Sequence, residues 1–164
     1  MHRLSQKTPN EVMAESCFAA HRVAGPLWMG SMPIPYSGLY KHFDGLVLCA
    51  CEYQCPPGFF PGVEVLSVSL NDDGSPMKRS EAFAAVKAAK EVMAWIEAGK
   101  RVLVTCMQGR NRSGLVTALT LCHGPWKMRP DQAIAAIRAA RGPSALSNDD
   151  FVGLIHKLGR GSST

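Results

Sequence analysis

The stretch VLVTCMQGRNRSGLVTALTLCHG, residues 102–124, restricts the fold more than any other part of the chain. A short, β-branched apolar run is followed by a polar loop that opens with a cysteine, and then by a second run that is apolar on nearly all sides. The first run is typical of a strand covered on both faces, and the second is typical of a buried helix. A central strand that leads directly into a buried helix predicts an α/β fold.

The rest of the chain shows the same mixture of strand and helix patterns. HRVAGPLWMG, FDGLVLCACE and VEVLSVSL are predicted strands, separated by segments rich in proline and glycine. Further helices are predicted over residues 80–98 with Ser80 as N-cap, from Pro130 to Arg141, and from Ser147 onward. The first of these is expected to bury the face that carries Phe83, Val86, Lys90 and Met93. These elements predict a central, mostly parallel sheet flanked by helices.

Length and composition predict a single folded domain, because 164 residues that are 46% hydrophobic can bury one sizeable core. We expect residues 1–20 to form an N-terminal arm or short helix, and residues 21–160 to form the domain. The net charge of +5 favours anionic partners such as phosphoesters, nucleic acid or acidic lipid. A solvated basic face would give the same charge.

The cysteines favour a reducing compartment, because the start of the chain has no apolar run of the signal-peptide type. Cys49, Cys51 and Cys55 lie close together, but no second Cys or His pair at ligand spacing accompanies them, which disfavours a structural zinc site. No apolar run is long enough to cross a membrane. We therefore expect a cytoplasmic protein without a membrane span, a metal ion or another cofactor.

The polar loop has the features of an anion site, because backbone N–H groups without partners gather where a helix begins. The same donors that favour phosphate also favour a thiolate, so Cys106 is a candidate nucleophile. Arg112 could present its planar guanidinium to two phosphoryl oxygens, and the Ser113 hydroxyl could stabilise the departing thiolate. Gly109 would allow the loop to curl. The predicted phosphate-binding residues are Cys106, Met107, Gln108, Gly109, Arg110, Asn111 and Arg112.

The string CMQGRNRSG resembles the C-x5-R-[ST] signature of the cysteine-dependent protein tyrosine phosphatases. The small dual-specificity phosphatases are the most similar branch, and GPLWMGSMP, SEAFAAVKAAKEVMAWIEAGKRVLVTC and RPDQAIAAIRAARG extend the resemblance over most of the chain. It implies hydrolysis of phosphotyrosine, and of phosphoserine or phosphothreonine as well, on phosphorylated proteins through a cysteinyl-phosphate. It also implies that phosphate or sulfate can occupy the loop.

The resemblance further implies a general acid on a loop before the cysteine, where SLNDDGSP offers Asp72 and, as a competitor, Asp73. The family usually has His directly before the cysteine, whereas this chain has Thr105, which we expect to affect efficiency and not the class of reaction. Some members of this kind form a reversible disulfide with the catalytic cysteine. Here Cys49 or Cys51 could do so, or each could simply pack in the core.

Two other functions remain open. One is the same chemistry on RNA 5′ ends or phosphoinositides, because GRNRSG resembles the loop of RNA 5′-triphosphatases. Those enzymes typically lack the general acid, so Asp72 and Asp73 argue against that alternative. The other is a phospho-binding module with weak or no turnover, which Thr105 permits but the presence of Cys106 and Arg112 opposes.

Overall fold

The computed structural model describes residues 19–160, so the arm predicted for residues 1–20 lies almost entirely outside the described part of the chain. In the described part, one sheet is formed by β1 (Ala20–Ala24), β2 (Leu27–Gly30), β3 (Gly45–Leu48), β4 (Glu64–Ser67) and β5 (Val102–Thr105). The strand order is β1-β2-β5-β3-β4. Only the β1–β2 pair is antiparallel, so among the described residues the predicted mostly parallel sheet is confirmed.

Strand β5 lies at the centre of the sheet, and all of its residues are buried. Its register pairs Thr105 with Gly30 at the end of β2 and with Leu48 at the end of β3. Strands β2, β5 and β3, which are parallel, therefore end at the same edge of the sheet. The loops that follow them, including the one that opens with Cys106, start side by side at this edge.

The described helices are α1 (Arg79–Glu97), α2 (Arg112–His123), α3 (Pro130–Arg141) and α4 (Asp149–Leu158). All four contribute to one hydrophobic core, which also contains Val102 and Val104 of β5. Leu103 points to the opposite face and joins a smaller core with Leu39 and Phe60. Alternate strand residues thus separate a face covered by helices from a face covered by loops and two short 3₁₀ turns.

Helices α2 and α3 follow the sequence pattern closely. Every residue from 113 to 122 is buried, as expected for a helix that is apolar on nearly all sides. Helix α3 begins at Pro130 and ends at Arg141, as predicted. These two helices connect the edge where Cys106 lies with the opposite end of the molecule, since α2 leads away from that edge and α3 returns to it.

The predicted starts of the other two helices are wrong. Helix α1 begins one residue earlier than its predicted cap, because the carbonyl of Lys78 already accepts hydrogen bonds from the N–H groups of Glu81 and Ala82. The cap of α4 is Asn148, whose side-chain oxygen accepts a hydrogen bond from the N–H of Phe151. Ser147, the predicted cap, instead contacts the side chain of Asn111.

The predicted buried face of α1 is also wrong. Phe83 is 72% exposed, and the buried positions are Ala85, Ala88, Ala89, Val92 and Trp95. Alanine side chains allow α1 to lie close to α2, with which it is in contact. The buried face thus combines three alanines with Val92 and Trp95, whereas Phe83 faces solvent.

All three predicted strands differ in extent, and VEVLSVSL contributes only Glu64–Ser67 to β4. HRVAGPLWMG forms two antiparallel strands, because Gly25, with φ of 50°, and Pro26 turn the chain between them. FDGLVLCACE contributes only Gly45–Leu48 to β3, so Cys49 and Cys51 follow the strand rather than lying within it. In residues 19–160, no helix combines the length and the apolar character needed to cross a bilayer.

Candidate active site

Residues 106–112, which we call the Cys106 loop, connect the central strand β5 to helix α2. Cys106 is the first residue after the strand and is 2% exposed. Because β5 is paired on both sides, the position of this cysteine is fixed by the sheet. The loop lies at the N-terminus of α2, where unpaired N–H groups and the helix dipole favour negative charge.

The surroundings of Cys106 favour the thiolate. Burial raises the pKa of the thiol, but hydrogen bonds from the Ser113 hydroxyl and from the backbone N–H groups of Ser113, Arg110 and Gly109 lower it, and the net effect is a lowered pKa. The Sγ atom of Cys106 lies 3.3 Å from Oγ of Ser113. The structure therefore brings together the cysteine and the serine that the sequence singled out.

The loop needs glycine at position 109 for two reasons. Gly109 has φ of 65°, a conformation that other residues rarely adopt. A Cβ atom at this position would lie 2.4 Å from the carbonyl oxygen of Gly30. The turn of the loop at Gly109 therefore packs against the end of the neighbouring strand β2.

Arg141, at the end of α3, was not predicted from the sequence as part of the site. Its Nε donates to the carbonyl of Gly109 at 2.9 Å, and its Nη2 donates to the carbonyl of Gln108 at 3.0 Å. The same Nη2 also donates to Oγ of Ser31, which follows β2, at 3.2 Å. Arg141 thereby holds two loop carbonyls away from Cys106, while loop N–H groups are directed at its sulfur.

Arg112 is the last residue of the Cys106 loop and the first residue of α2. Its Nε is buried and has no hydrogen-bond partner among the described residues. Burying a hydrogen-bond donor without an acceptor costs free energy. A phosphoryl oxygen is an acceptor that a guanidinium binds well. The unpartnered nitrogen therefore fits a site that receives an anion.

The remaining loop residues differ in exposure. Met107, Gln108 and Arg110 are exposed, so their side chains face solvent rather than the core. Asn111 is half-buried and turns its side chain toward Asp72 and the segment before α4. The loop thus offers backbone donors to an anion, and exposed side chains at its rim.

The two candidate acids have different environments. Asp72 is half-buried, and its carboxylate accepts hydrogen bonds from Nδ2 of Asn111 at 3.0 Å and from Nδ2 of Asn148 at 2.7 Å. Asp73 is exposed and bonds to the side chain and the N–H of Ser75, which lower its pKa to about 2. The structure therefore brings Asp72, and not Asp73, to the Cys106 loop.

Thr105 directly precedes Cys106, at the position where the family that the motif resembles usually has a histidine. Its hydroxyl donates to the carbonyl of Val47 at 2.8 Å and accepts from Nε2 of Gln54 at 3.0 Å. Gln54 is 6% exposed, and its side-chain oxygen accepts from the N–H of Ala50 at 2.9 Å. This buried network ties the residue before Cys106 to the loop after β3, and sequence reasoning gave no sign of Gln54.

Cys49 and Cys51 lie on opposite sides of the sheet. Cys49 is fully buried in the same core as Cys106, whereas Cys51 packs against the smaller core on the other face. Burial raises the pKa of the Cys49 thiol, and the neighbouring charge of Cys106 raises it further. Of the two, Cys49 is the candidate for a redox partner of Cys106, and this role stays a prediction.

Among residues 19–160, no three His, Cys, Asp or Glu side chains come together in a cluster that could hold a metal ion.

Solved structures with similar folds identify the architecture. Tk-PTP in its active form is 25% identical, with a TM-score of 0.69 over 85% of this chain and 95% of that chain. Human DUSP28 is 24% identical, with a TM-score of 0.68 over 85% and 91% of the two chains. PTPMT1 in complex with PI(5)P is 20% identical, with a TM-score of 0.66 over 85% and 94%.

No protein-family model matches the chain, and no curated protein is similar to it in sequence. The structures nevertheless confirm the fold of the tyrosine and dual-specificity phosphatases. They also confirm the resemblance to the small dual-specificity branch that was recognised from the loop motif.

The hydrogen bond between Ser113 and Cys106 gives a testable prediction about the thiol. Ser113→Ala removes a donor to the thiolate, so the pKa of Cys106 should rise. The rate of alkylation by iodoacetamide, followed against pH and mapped to the Cys106 peptide by mass spectrometry, should show its inflection at a higher pH than in the wild type. Ser144→Ala, which changes an exposed serine, should leave the inflection in place. An unchanged inflection in Ser113→Ala would contradict the assigned contact.

Proposed function

We propose that this chain, which has the fold of the small dual-specificity phosphatases, hydrolyses phosphomonoesters through a cysteinyl-phosphate on Cys106. The observation that carries the proposal is the combination of a thiol with a lowered pKa and a buried, unpartnered Arg112 Nε in the same loop. A thiolate surrounded by N–H donors and a guanidinium is suited to a tetrahedral anion with a reactive phosphorus.

The reaction proceeds in two steps. The Cys106 thiolate attacks phosphorus in line with the leaving oxygen, and Asp72 protonates that oxygen as the P–O bond breaks. Water then attacks the cysteinyl-phosphate, Asp72 takes its proton, and the thiolate leaves with the hydrogen bond from Ser113. Loop N–H groups and Arg112 stabilise the charge on the transferring phosphoryl group. Apart from the substrate and water, these steps use only groups of the chain.

Phosphorylated proteins are the proposed substrates, with phosphotyrosine and also phosphoserine or phosphothreonine as the reacting residues. Support comes from the rim of the Cys106 loop, where Met107 is 37% exposed. Ser31 donates a hydrogen bond to the carbonyl of Gln108, and the next residue, Met32, is 42% exposed. Two methionine side chains beside an anion site offer an apolar wall to the ring of a phosphotyrosine.

Phosphoinositide hydrolysis is the alternative that one specific observation favours, since PTPMT1, a structure of similar fold, was solved with PI(5)P. The substrate class is tested by comparing kcat/KM for a phosphotyrosyl peptide, a phosphothreonyl peptide, a dispersed phosphoinositide and a 5′-triphosphorylated RNA. Highest activity on a peptide supports the proposal, and highest activity on the lipid or the RNA would replace it. Binding of phosphopeptide without any turnover would favour a phospho-binding module.

We further propose that the folded domain comprises residues 21–160 and that it acts in the reducing environment of the cytoplasm. The described cysteines are all free thiols, and a catalytic thiolate must remain reduced to act as a nucleophile.

The nucleophile and the arginine give a prediction about turnover. Cys106→Ser should abolish hydrolysis while phosphate binding and folding persist, because a hydroxyl of similar size ionises far less readily than a thiol. Arg112→Lys should lower kcat/KM by at least about 100-fold, because a point charge cannot reproduce two parallel hydrogen bonds to the phosphoryl group. Steady-state assays with a phosphotyrosyl peptide measure both. Activity near the wild-type level in either variant would remove that residue from its proposed role.

The two neighbouring carboxylates give a prediction about the leaving group. Asp72→Asn should lower kcat/KM for phenyl phosphate by about 100-fold or more, and that for 2,4-dinitrophenyl phosphate much less, because an activated leaving group needs little protonation. Asp73→Asn is the matched control and should behave like the wild type. The opposite pattern in the two variants would transfer the role to Asp73.

A further inference from the structure

A short segment between α3 and α4, residues 145–148, lies against the Cys106 loop, and we call it the strap. The N–H of Leu146 donates to the carbonyl of Arg110 at 3.2 Å, and the N–H of Asn148 donates to Oδ1 of Asn111 at 3.2 Å. The strap is therefore attached by its backbone to two consecutive residues of the loop that contains the proposed nucleophile.

The strap is held in one conformation by its other contacts. Leu146 has φ of 57°, which is unfavourable for a leucine, and yet it is only 1% exposed. Arg138 of α3 donates its Nε to the carbonyl of Ala145 at 3.0 Å and its Nη2 to the carbonyl of Leu146 at 3.2 Å. The side chain of Leu146 packs so closely on Gly114 that a Cβ there would lie 2.8 Å from Cδ2 of the leucine.

Asn148, the last residue of the strap, uses both ends of its side-chain amide. Its Oδ1 accepts the N–H of Phe151 at 3.2 Å, which caps helix α4. Because the oxygen is occupied in this way, the NH₂ group faces the other way and donates to Oδ1 of Asp72 at 2.7 Å. The cap therefore fixes the direction of the amide that meets the carboxylate.

The second oxygen of Asp72 faces the Cys106 loop, where it accepts a hydrogen bond from Nδ2 of Asn111 at 3.0 Å. The two carboxylate oxygens are thus distinguished by their partners. One is bound by the rigid strap, and the other is bound by the loop that receives the phosphoryl group.

We propose that Asn148 is a positioning residue that orients Asp72 as the general acid, with Oδ1 anchored and Oδ2 carrying the proton. This inference rests on the proposed role of Asp72. In the protonated acid, the O–H on Oδ2 takes the place of the hydrogen bond from Asn111. The proton then moves from Oδ2 to the leaving oxygen as the P–O bond breaks, and Asp72 returns to the carboxylate that both amides bind.

The anchor matters because the hydrogen bonds of Asp73 and Ser75, which follow Asp72, stay within residues 71–75 and do not reach the Cys106 loop. The residues that follow, 73–76, are exposed. Without the bond from Asn148, Asp72 would keep only the hydrogen bond from Asn111, which comes from the loop that must accommodate substrate. A carboxyl group that is free to turn would deliver its proton from the required direction only part of the time.

The test uses Asn148→Ser, because serine can cap α4 but cannot reach Asp72 with an amide. The ratio of kcat/KM for phenyl phosphate to that for 2,4-dinitrophenyl phosphate reports the acid specifically. We expect this ratio to fall about tenfold, in the same direction as in Asp72→Asn but less far. Amide hydrogen exchange of residues 71–75 should become faster in the same variant. Asp150→Asn, an exposed position in the first turn of α4, is the matched control and should change neither readout.

The outcomes separate the two proposals. A wild-type ratio in Asn148→Ser, with the expected defect in Asp72→Asn, would overturn the role of Asn148 and leave the acid assignment intact. Equal losses on both esters in Asn148→Ser, together with a lowered Tm, would make Asn148 a helix cap only. No leaving-group effect in Asp72→Asn would overturn the general acid itself, and the positioning role with it.

Discussion

The hydrogen bonds from Arg141 to the carbonyls of Gln108 and Gly109 are the interaction on which the geometry of the site depends. A loop of seven residues can point its N–H groups inward only if its carbonyls find partners outside, and a half-buried guanidinium supplies them here. Burial lowers the pKa of Arg141, whereas the charge of Cys106 raises it. The cation that shapes the loop is therefore also electrostatically coupled to the nucleophile.

A second constraint distinguishes two carboxylates that are adjacent in sequence. Asp73 is bonded to its own turn through Ser75, and these bonds lower its pKa to about 2, so it is a weak candidate for a proton donor near neutral pH. Asp72 is bonded to residues from two distant segments, Asn111 and Asn148. The difference arises from side-chain direction at successive positions, since one faces the Cys106 loop and the other faces solvent.

The central part of the fold could be predicted because its signals are local. A continuous apolar strand, a loop with Gly109 and a helix that is buried on all sides lie consecutively in the sequence, and no distant residue is needed to recognise them. The rim of the site could not be predicted in the same way. Asn148 meets Asp72 across 76 residues, and Arg141 resembles an ordinary basic residue at a helix end.

Other errors have a similar origin. The buried face of α1 was assigned to the side that carries Phe83, although the side that packs in the core carries three alanines, Val92 and Trp95. The role of Thr105 depends on Gln54, which lies 51 positions earlier between two cysteines and has no distinguishing pattern. Tertiary contacts of this kind depend on the register between β3 and β5, which cannot be read from the sequence.

In the proposed reaction, the phosphoryl group is transferred to Cys106 first, and water then releases it as phosphate. The most direct test is to mix the protein with a phosphotyrosyl peptide that carries a radiolabelled phosphate, to stop the reaction within the first turnover, and to map the label by mass spectrometry. We expect the label on the peptide that contains Cys106, and a higher yield in the Asp72→Asn variant with an activated substrate, because hydrolysis of the intermediate also needs this residue. Label on another residue, or turnover with no labelled protein at any time, would contradict the account.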